Sequence, residues 1–187
     1  MADRLRVDAR RNKELLLNAA REVFGKEGTE ASLREVARQA GVGIGTLYRH
    51  FPTREALLET LLRNGVEQLR DRAGELARTL PPEQALITWL REYVDRSCSY
   101  QGLPASVTNA LYHRKSDLFT AASAMQAAGA ELLARAQEAG AIRTDITAND
   151  LFAVVSGVAL AVDQMPGGRG YVDRLLSLAM TGLRGRP

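Results

Sequence analysis

The chain has one cysteine, Cys98, and two histidines, His50 and His113, among 187 residues. A single thiol excludes an intrachain disulfide framework. So few soft ligands and bases leave little from which to build a metal centre or a nucleophilic triad, and no G-x-S-x-G, H-E-x-x-H or C-x-x-C is present. The expectation is therefore not an enzyme, with no cofactor and no metal. No apolar run reaches the roughly 18 residues of a membrane span, and the N-terminus is charged where a signal peptide would be apolar. A cytoplasmic protein with no membrane partner is expected. Lysine is confined to Lys13, Lys26 and Lys115, so arginine carries the positive charge. No segment alternates polar and apolar residues as a half-buried strand does.

What is present is a 45% hydrophobic chain with a net charge of +3, enough for a sizeable core. The charge is uneven. Residues 1–54 carry 11 Lys/Arg and 7 Asp/Glu, a balance of +4, and the remainder has a balance of −1. A basic excess at one end suits a phosphate-binding surface.

The chain is organised around Ser32 to Phe51, S-L-R-E-V-A-R-Q-A-G-V-G-I-G-T-L-Y-R-H-F. Ser32 followed three residues on by Glu35 makes a capping box. Leu33, Val36, Ala37 and Ala40 then recur at helical spacing. Gly41 stands where the helix stops, because glycine takes the left-handed C′ conformation freely. Val42 plugs the corner, and Leu47 returns to the same core from a second helix. This is the pattern of a helix-turn-helix, whose second helix enters the DNA major groove. The same letters hold G-x-G-x-G at Gly41, Gly43 and Gly45. A dinucleotide fingerprint must follow a strand, and here a capped helix precedes it with the wrong final spacing.

The stretch Leu16 to Leu57 resembles the DNA-binding domain of the TetR family of transcriptional regulators. The residues that carry the resemblance are L-L-N-A-A-R-E-V-F-G-K-E-G (Leu16 to Gly28), V-A-x-x-A-G-V (Val36 to Val42) and G-T-L-Y-R-H-F-P-T-R-E-A-L-L (Gly45 to Leu58). They cover about the first third of the chain. One departure is Gly43, where the family usually has serine. A glycine N-cap costs only about a few tenths of a kcal/mol, but it removes a hydroxyl that could hold a phosphate.

In chain order, residues 1–9 read as a loose arm in which Arg4, Arg6, Arg10, Arg11 and Lys13 either reach DNA or are simply solvated. A helix from about Ala9 to Lys26 presents Leu16, Ala20, Val23 and Phe24 on one face. Thr53 caps a long helix to about Leu80 that begins with Leu57, Leu58, Leu61 and Leu62. Further helices are expected at about 82–100, up to Tyr112, about 117–139, about 148–164, and after the break P-G-G-R-G. Thr147 and Asp150 make a second capping box, with Ile146 stapled onto Leu151. The helix that follows is apolar nearly all round, so burial on every side is expected. It is expected to pair with the stripe Val172, Leu176 and Leu183 as a self-complementary dimer face, with Gly157, Ala159 and Ala161 allowing close approach.

The fold class expected is all-α. Residues 1–52 form a three-helix DNA-binding domain and residues 53–187 a helical effector-binding and dimerisation domain, as the resemblance also implies. On the second helix Thr46 and Arg49 are candidates to read bases, arginine on guanine being the commonest specific contact. Ile44 is placed for a thymine methyl, and Gly45 lets the backbone come close. Tyr48, His50 and Arg54 are phosphate candidates; for His50 the alternative is a packing or capping role. Trp89, Tyr93, Val107, Leu111, Met125 and Phe152 are candidate effector lining, although an ordinary core would use the same residues. Asp163 interrupts an apolar helix near its C-terminus, where a negative charge is disfavoured. It begins an exposed end, pairs with an arginine, or faces a cationic effector. Cys98 reads as a small buried hydrophobe and His113 as solvated.

The resulting expectation is a ligand-responsive TetR-like repressor. It binds an inverted-repeat DNA operator as a homodimer and is released by a small lipophilic or cationic effector. The rival is an architectural DNA-binding dimer with no effector.

Overall fold

The computed structural model describes residues 2–98, 104–111, 113, 116–165 and 167–184. Among the described residues the chain is all-α. The helices are α1 (Ala2–Glu27), α2 (Leu33–Gln39), α3 (Ile44–His50), α4 (Arg54–Thr79), α5 (Pro82–Ser97), α6 (Ala105–Ala110), α7 (Asp117–Glu138), α8 (Ala148–Gln164) and α9 (Val172–Leu183), with a 3-10 turn at Gly168–Tyr171. The only pairing of extended residues among those described is an isolated bridge between Ile142 and Arg184. No described helix is long and apolar enough to cross a membrane.

The expected loose arm is instead the first two turns of α1. Its sequence, rich in Arg, Ala and Leu and free of Gly and Pro before Gly25, favours helix throughout. The side chains of Arg4 and Arg6, the break at Gly102 and the turn through Arg114 and Lys115 lie outside the described residues.

By its internal contacts the chain divides into two compact units. One comprises residues 1–63 and 100–118, the other residues 64–99 and 119–187. The first unit buries the predicted face of α1 (Leu16, Ala20, Val23, Phe24) with Leu33, Val36 and Ala37 of α2, Leu47 of α3, Phe51, and Leu57, Leu58 and Leu61 of α4. Val107 of α6 belongs to that same core. An Arg63–Asp117 ion pair at 3.1 Å ties the start of α7 to α4 within this unit.

The second unit is built around α5, α8 and α9 with the later turns of α4 and α7. Trp89 is fully buried and donates from Nε1 to the Leu69 carbonyl at 2.8 Å. Its ring lies 6.0 Å from that of Phe152, edge on, and 5.9 Å from that of Tyr93. At Gly129 of α7 a Cβ would come within 2.6 Å of Trp89 and 2.8 Å of Phe152. The capping box at the start of α8 is closed: Asp150 N–H donates to Thr147 Oγ1 at 3.2 Å, and Thr147 N–H donates to the Asp150 carboxylate at 2.8 Å. Those bonds hold the Asp150 carboxyl below its usual range, the backbone N–H of Thr147 first and its hydroxyl second.

Helix α8 is not buried on all sides within the chain. It buries Leu151, Phe152, Val155, Ala159 and Val162 and leaves Val154 and Leu160 exposed, the latter at 64%. On α9, Val172 and Leu176 belong to the chain's own core, and the exposed large apolar residue is Leu178, at 63%. The amphipathic repeat of α9 turns Val172 and Leu176 toward α8, so they are not part of a free face.

Candidate nucleic-acid interface

Helix α2 ends on Ala40, and the next residue, Gly41, has φ +68°. With that left-handed residue in place, Val42 N–H reaches the Ala37 carbonyl at 3.0 Å and Gly41 N–H reaches the Arg38 carbonyl at 3.1 Å. The last carbonyls of α2 are thereby satisfied and the chain is turned sharply into α3. Any residue with a Cβ would be strained at Gly41. Helix α3 starts at Gly43 without a side-chain cap and buries Leu47, which fixes its rotation against α1 and α2.

Rotation about that anchor decides which side chains face water. Gly45, Tyr48 and Arg49 are exposed, Tyr48 by half of its surface, while Ile44, Thr46 and His50 are partly covered. The last turn carries Arg49 and His50, and the helix has no acid in its first turn. The Arg49 guanidinium folds back along α3, with Nη2 donating to Thr46 Oγ1 at 2.9 Å and Nε to the Gly45 carbonyl at 3.3 Å. The two candidate base readers therefore form one hydrogen-bonded unit. His50 stands beside Phe51, ring centres 6.3 Å apart and tilted.

The first capping box is only half formed. Ser32 Oγ accepts from the Arg34 N–H at 3.2 Å, one residue earlier than expected. Glu35 does not turn back to Ser32, because Arg38, one helical turn on, takes its carboxylate with both arms of the guanidinium. That hydrogen bond, with the adjacent positive charge, holds the Glu35 carboxyl below its usual range. The Arg34 side chain is exposed and its guanidinium makes no hydrogen bond or ion pair among the described residues, which makes it a phosphate candidate that sequence reading passed over. Its signal was its position, the second residue of a capped helix beside the turn.

Arg54, expected as a phosphate contact, has its guanidinium placed against the chain's own carbonyls. Its Nη1 donates to the carbonyls of Thr29 and Ala31 at 2.6 and 2.7 Å, and its guanidinium carbon lies 5.8 Å from the centre of the Phe24 ring. The loop between α1 and α2 offers carbonyls that need a donor, so the guanidinium turns inward to them.

The candidate effector lining is divided between the two units. Val107 and Leu111 lie in the first unit, Val107 in its core, because the segment carrying α6 packs with the start of α4. Trp89, Tyr93, Met125 and Phe152 do come together in the second unit, but as packed core. Tyr93 hydroxyl and Ser156 Oγ share a hydrogen bond at 3.1 Å. Asp163 is partly exposed near the end of α8. Cys98 is buried, its thiol donating to the Ala159 carbonyl at 3.4 Å. The second unit holds open space elsewhere: a slot of about 400 Å³ between Arg70, Ala73, Gly74 and Ala77 of α4 and Ala124, Ala127, Ala128, Glu131, Leu132 and Arg135 of α7. No group of acids, histidines and cysteine able to hold a metal occurs among the described residues.

This geometry agrees with what the chain is similar to. Residues 16–61 match the family model described as bacterial regulatory proteins, tetR family, and residues 81–185 match one described as transcriptional regulator SbtR-like, C-terminal domain. A TetR transcriptional regulator from Streptomyces coelicolor is 40% identical with a TM-score of 0.76, the match covering 94% of this chain and 99% of that one. A TetR transcription regulatory protein from Mycobacterium vanbaalenii is 34% identical with a TM-score of 0.68, covering 96% and 99%. The HTH-type transcriptional regulator UidR of Escherichia coli K12 is 32% identical over 87 residues, 46% of this chain, and the match spans only 41% of UidR. Both ends of the chain match and two solved relatives are covered over nearly their full length. The chain belongs to the TetR family of transcriptional regulators, DNA-binding helix-turn-helix proteins that are not enzymes.

Proposed function

We propose that this regulator is a homodimeric repressor whose α3 reads an inverted-repeat operator and whose second unit responds to a small molecule. The observation that carries the DNA half is the exposed face of α3, fixed in rotation by buried Leu47 and by the glycine corner before it. Thr46 and Arg49 read bases, Ile44 and Gly45 allow close approach, and Arg34, Tyr48 and His50 hold phosphates. The dimer reading rests on Leu160 and Val154 of α8 and Leu178 of α9, large apolar side chains left uncovered within one chain. Two copies of this face would form a four-helix contact with two-fold symmetry and set the half-sites about one DNA turn apart.

For the effector, the α4–α7 slot is within the size range of ligand sites. A ligand there would touch α4, the helix whose first turns belong to the DNA-binding unit. It can shift DNA binding only by its difference in affinity for the two states. The packed aromatic cluster favours the rival reading, an architectural dimer without an effector. A binding-site selection with wild type and Arg49→Ala tests the first half; unchanged base preference would overturn it. Light scattering of Leu160→Glu and Leu178→Glu should show monomers where the wild type is dimeric. A gel-shift titration with lipophilic and cationic compounds decides the rest. Release of DNA that is lost in Ala128→Trp supports the sensor, and no release by any compound leaves the architectural reading.

A further inference from the structure

We infer that Arg54 is a positioning residue that latches the start of α4 to the loop introducing α2, and so sets the attitude of the whole helix-turn-helix without touching DNA. The inference rests on the DNA-binding reading above. Arg54 is the first residue of α4, at the positive end of that helix dipole, where a cation is electrostatically out of place. Its placement is explained by what it holds. One nitrogen bridges the Thr29 and Ala31 carbonyls, and the guanidinium lies over Phe24 of α1. Thr29 is itself buried, so its carbonyl needs a donor from within the protein. The residue after Ala31 is Ser32, the N-cap of α2, and α2 is joined to α3 by the hydrogen bonds around Gly41. A single side chain thus connects α1, the entry to α2 and the first turn of α4. Thr53 holds the same turn from the other side, its Oγ1 accepting from the Ala56 N–H at 3.1 Å. Any displacement of the start of α4 is carried to the recognition helix through Arg54.

The alternative role for an arginine here, a phosphate contact, makes opposite predictions. The test uses wild type, Arg54→Gln and Arg54→Lys, each measured well below its own melting temperature. The probes are the duplex that wild type selects from a random pool and a random duplex of equal length, over a salt series. Wild type failing to select any duplex would mean that the DNA reading itself fails. For the latch, both variants should bind the selected duplex about tenfold or more weakly, the scale of charge-assisted hydrogen bonds. Binding to the random duplex and the salt slope should stay near wild type, so discrimination falls. Lysine keeps the charge, but its single ammonium cannot lie flat on Phe24 while bridging both carbonyls. A phosphate contact would instead leave Arg54→Lys like wild type. It would make Arg54→Gln weaker on both duplexes, with a slope reduced by about 0.9 per lost contact. That result overturns the latch. So does a lowered melting temperature with discrimination preserved, which would mark a role in folding alone.

Discussion

The recognition helix of the first unit and helices α8 and α9 of the second expose different kinds of large side chain. In the DNA-binding unit the aromatic rings of Phe24 and Phe51 are buried, while Tyr48 of α3 is turned out to water beside Arg49. In the second unit the aromatic rings of Trp89, Tyr93 and Phe152 close on one another; Tyr171 is exposed just before α9, and the most exposed large apolar side chains are aliphatic, Leu160 and Leu178. An exposed ring with a hydroxyl beside an arginine suits a polar, charged partner. An exposed leucine on a helix suits another apolar helix. Under the proposed function, the comparison sets a nucleic-acid surface on α3 against a self-association surface on α8 and α9, with the packed rings of the second unit contributing to its stability.

The sharpest way to break that contrast is Trp89→Ala. Removing a buried tryptophan should destabilise the chain by about 3–5 kcal/mol, and it also removes the indole N–H that shares the Leu69 carbonyl. Urea denaturation followed by circular dichroism measures it. A loss under about 1 kcal/mol would mean the rings line a yielding cavity rather than a packed core.

Gly129→Ala probes the same place more gently. The new methyl would meet Trp89 and Phe152 well inside contact distance. Overpacking of this kind costs about 1–3 kcal/mol, against about 1 kcal/mol gained by replacing glycine within a helix. A net loss of stability is expected. A gain would show that α5, α7 and α8 have room to part, and would return the effector to the site first read from the sequence.

Which features could be read from the sequence follows from the range of the interactions. Gly41, Leu47 and the closed box at Thr147 and Asp150 depend on neighbours within a few residues, and the letters show them. The box at Ser32 failed because Arg38, equally close, competes for Glu35. The fate of Arg54 depends on carbonyls 23 and 25 residues away, and main-chain carbonyls leave no mark in a sequence. Val107 packs in the core of the first unit with residues of α1 to α4 more than forty positions away, and such long-range packing leaves no local pattern. Whether aromatic residues line a cavity or fill it turns on distances of an ångström or two, set here by Gly129.

The smallest effect sets the two capping sites against each other through pH and salt. Both acids have depressed folded pKa values, Asp150 through the N–H and hydroxyl of Thr147, and Glu35 through the guanidinium of Arg38. A depressed acid stabilises the fold fully above its unfolded pKa, and that contribution is lost as pH falls through the folded value. Asp150→Asn and Glu35→Gln should therefore each melt slightly below wild type at pH 6, with both gaps closing as the solution is taken below the ordinary carboxylate range. Salt separates them. Both arms of the Arg38 fork are exposed to solvent, so the Glu35→Gln gap should shrink in 1 M NaCl, where the Debye length is about 3 Å. The Asp150 carboxylate is held mainly by a backbone N–H at hydrogen-bond distance, and its gap should persist. Melting curves for the three proteins at two pH values and two salt concentrations measure this. Equal salt sensitivity at both sites would show that Asp150 acts through long-range charge, and that the closed box of α8 adds no more than the open one of α2.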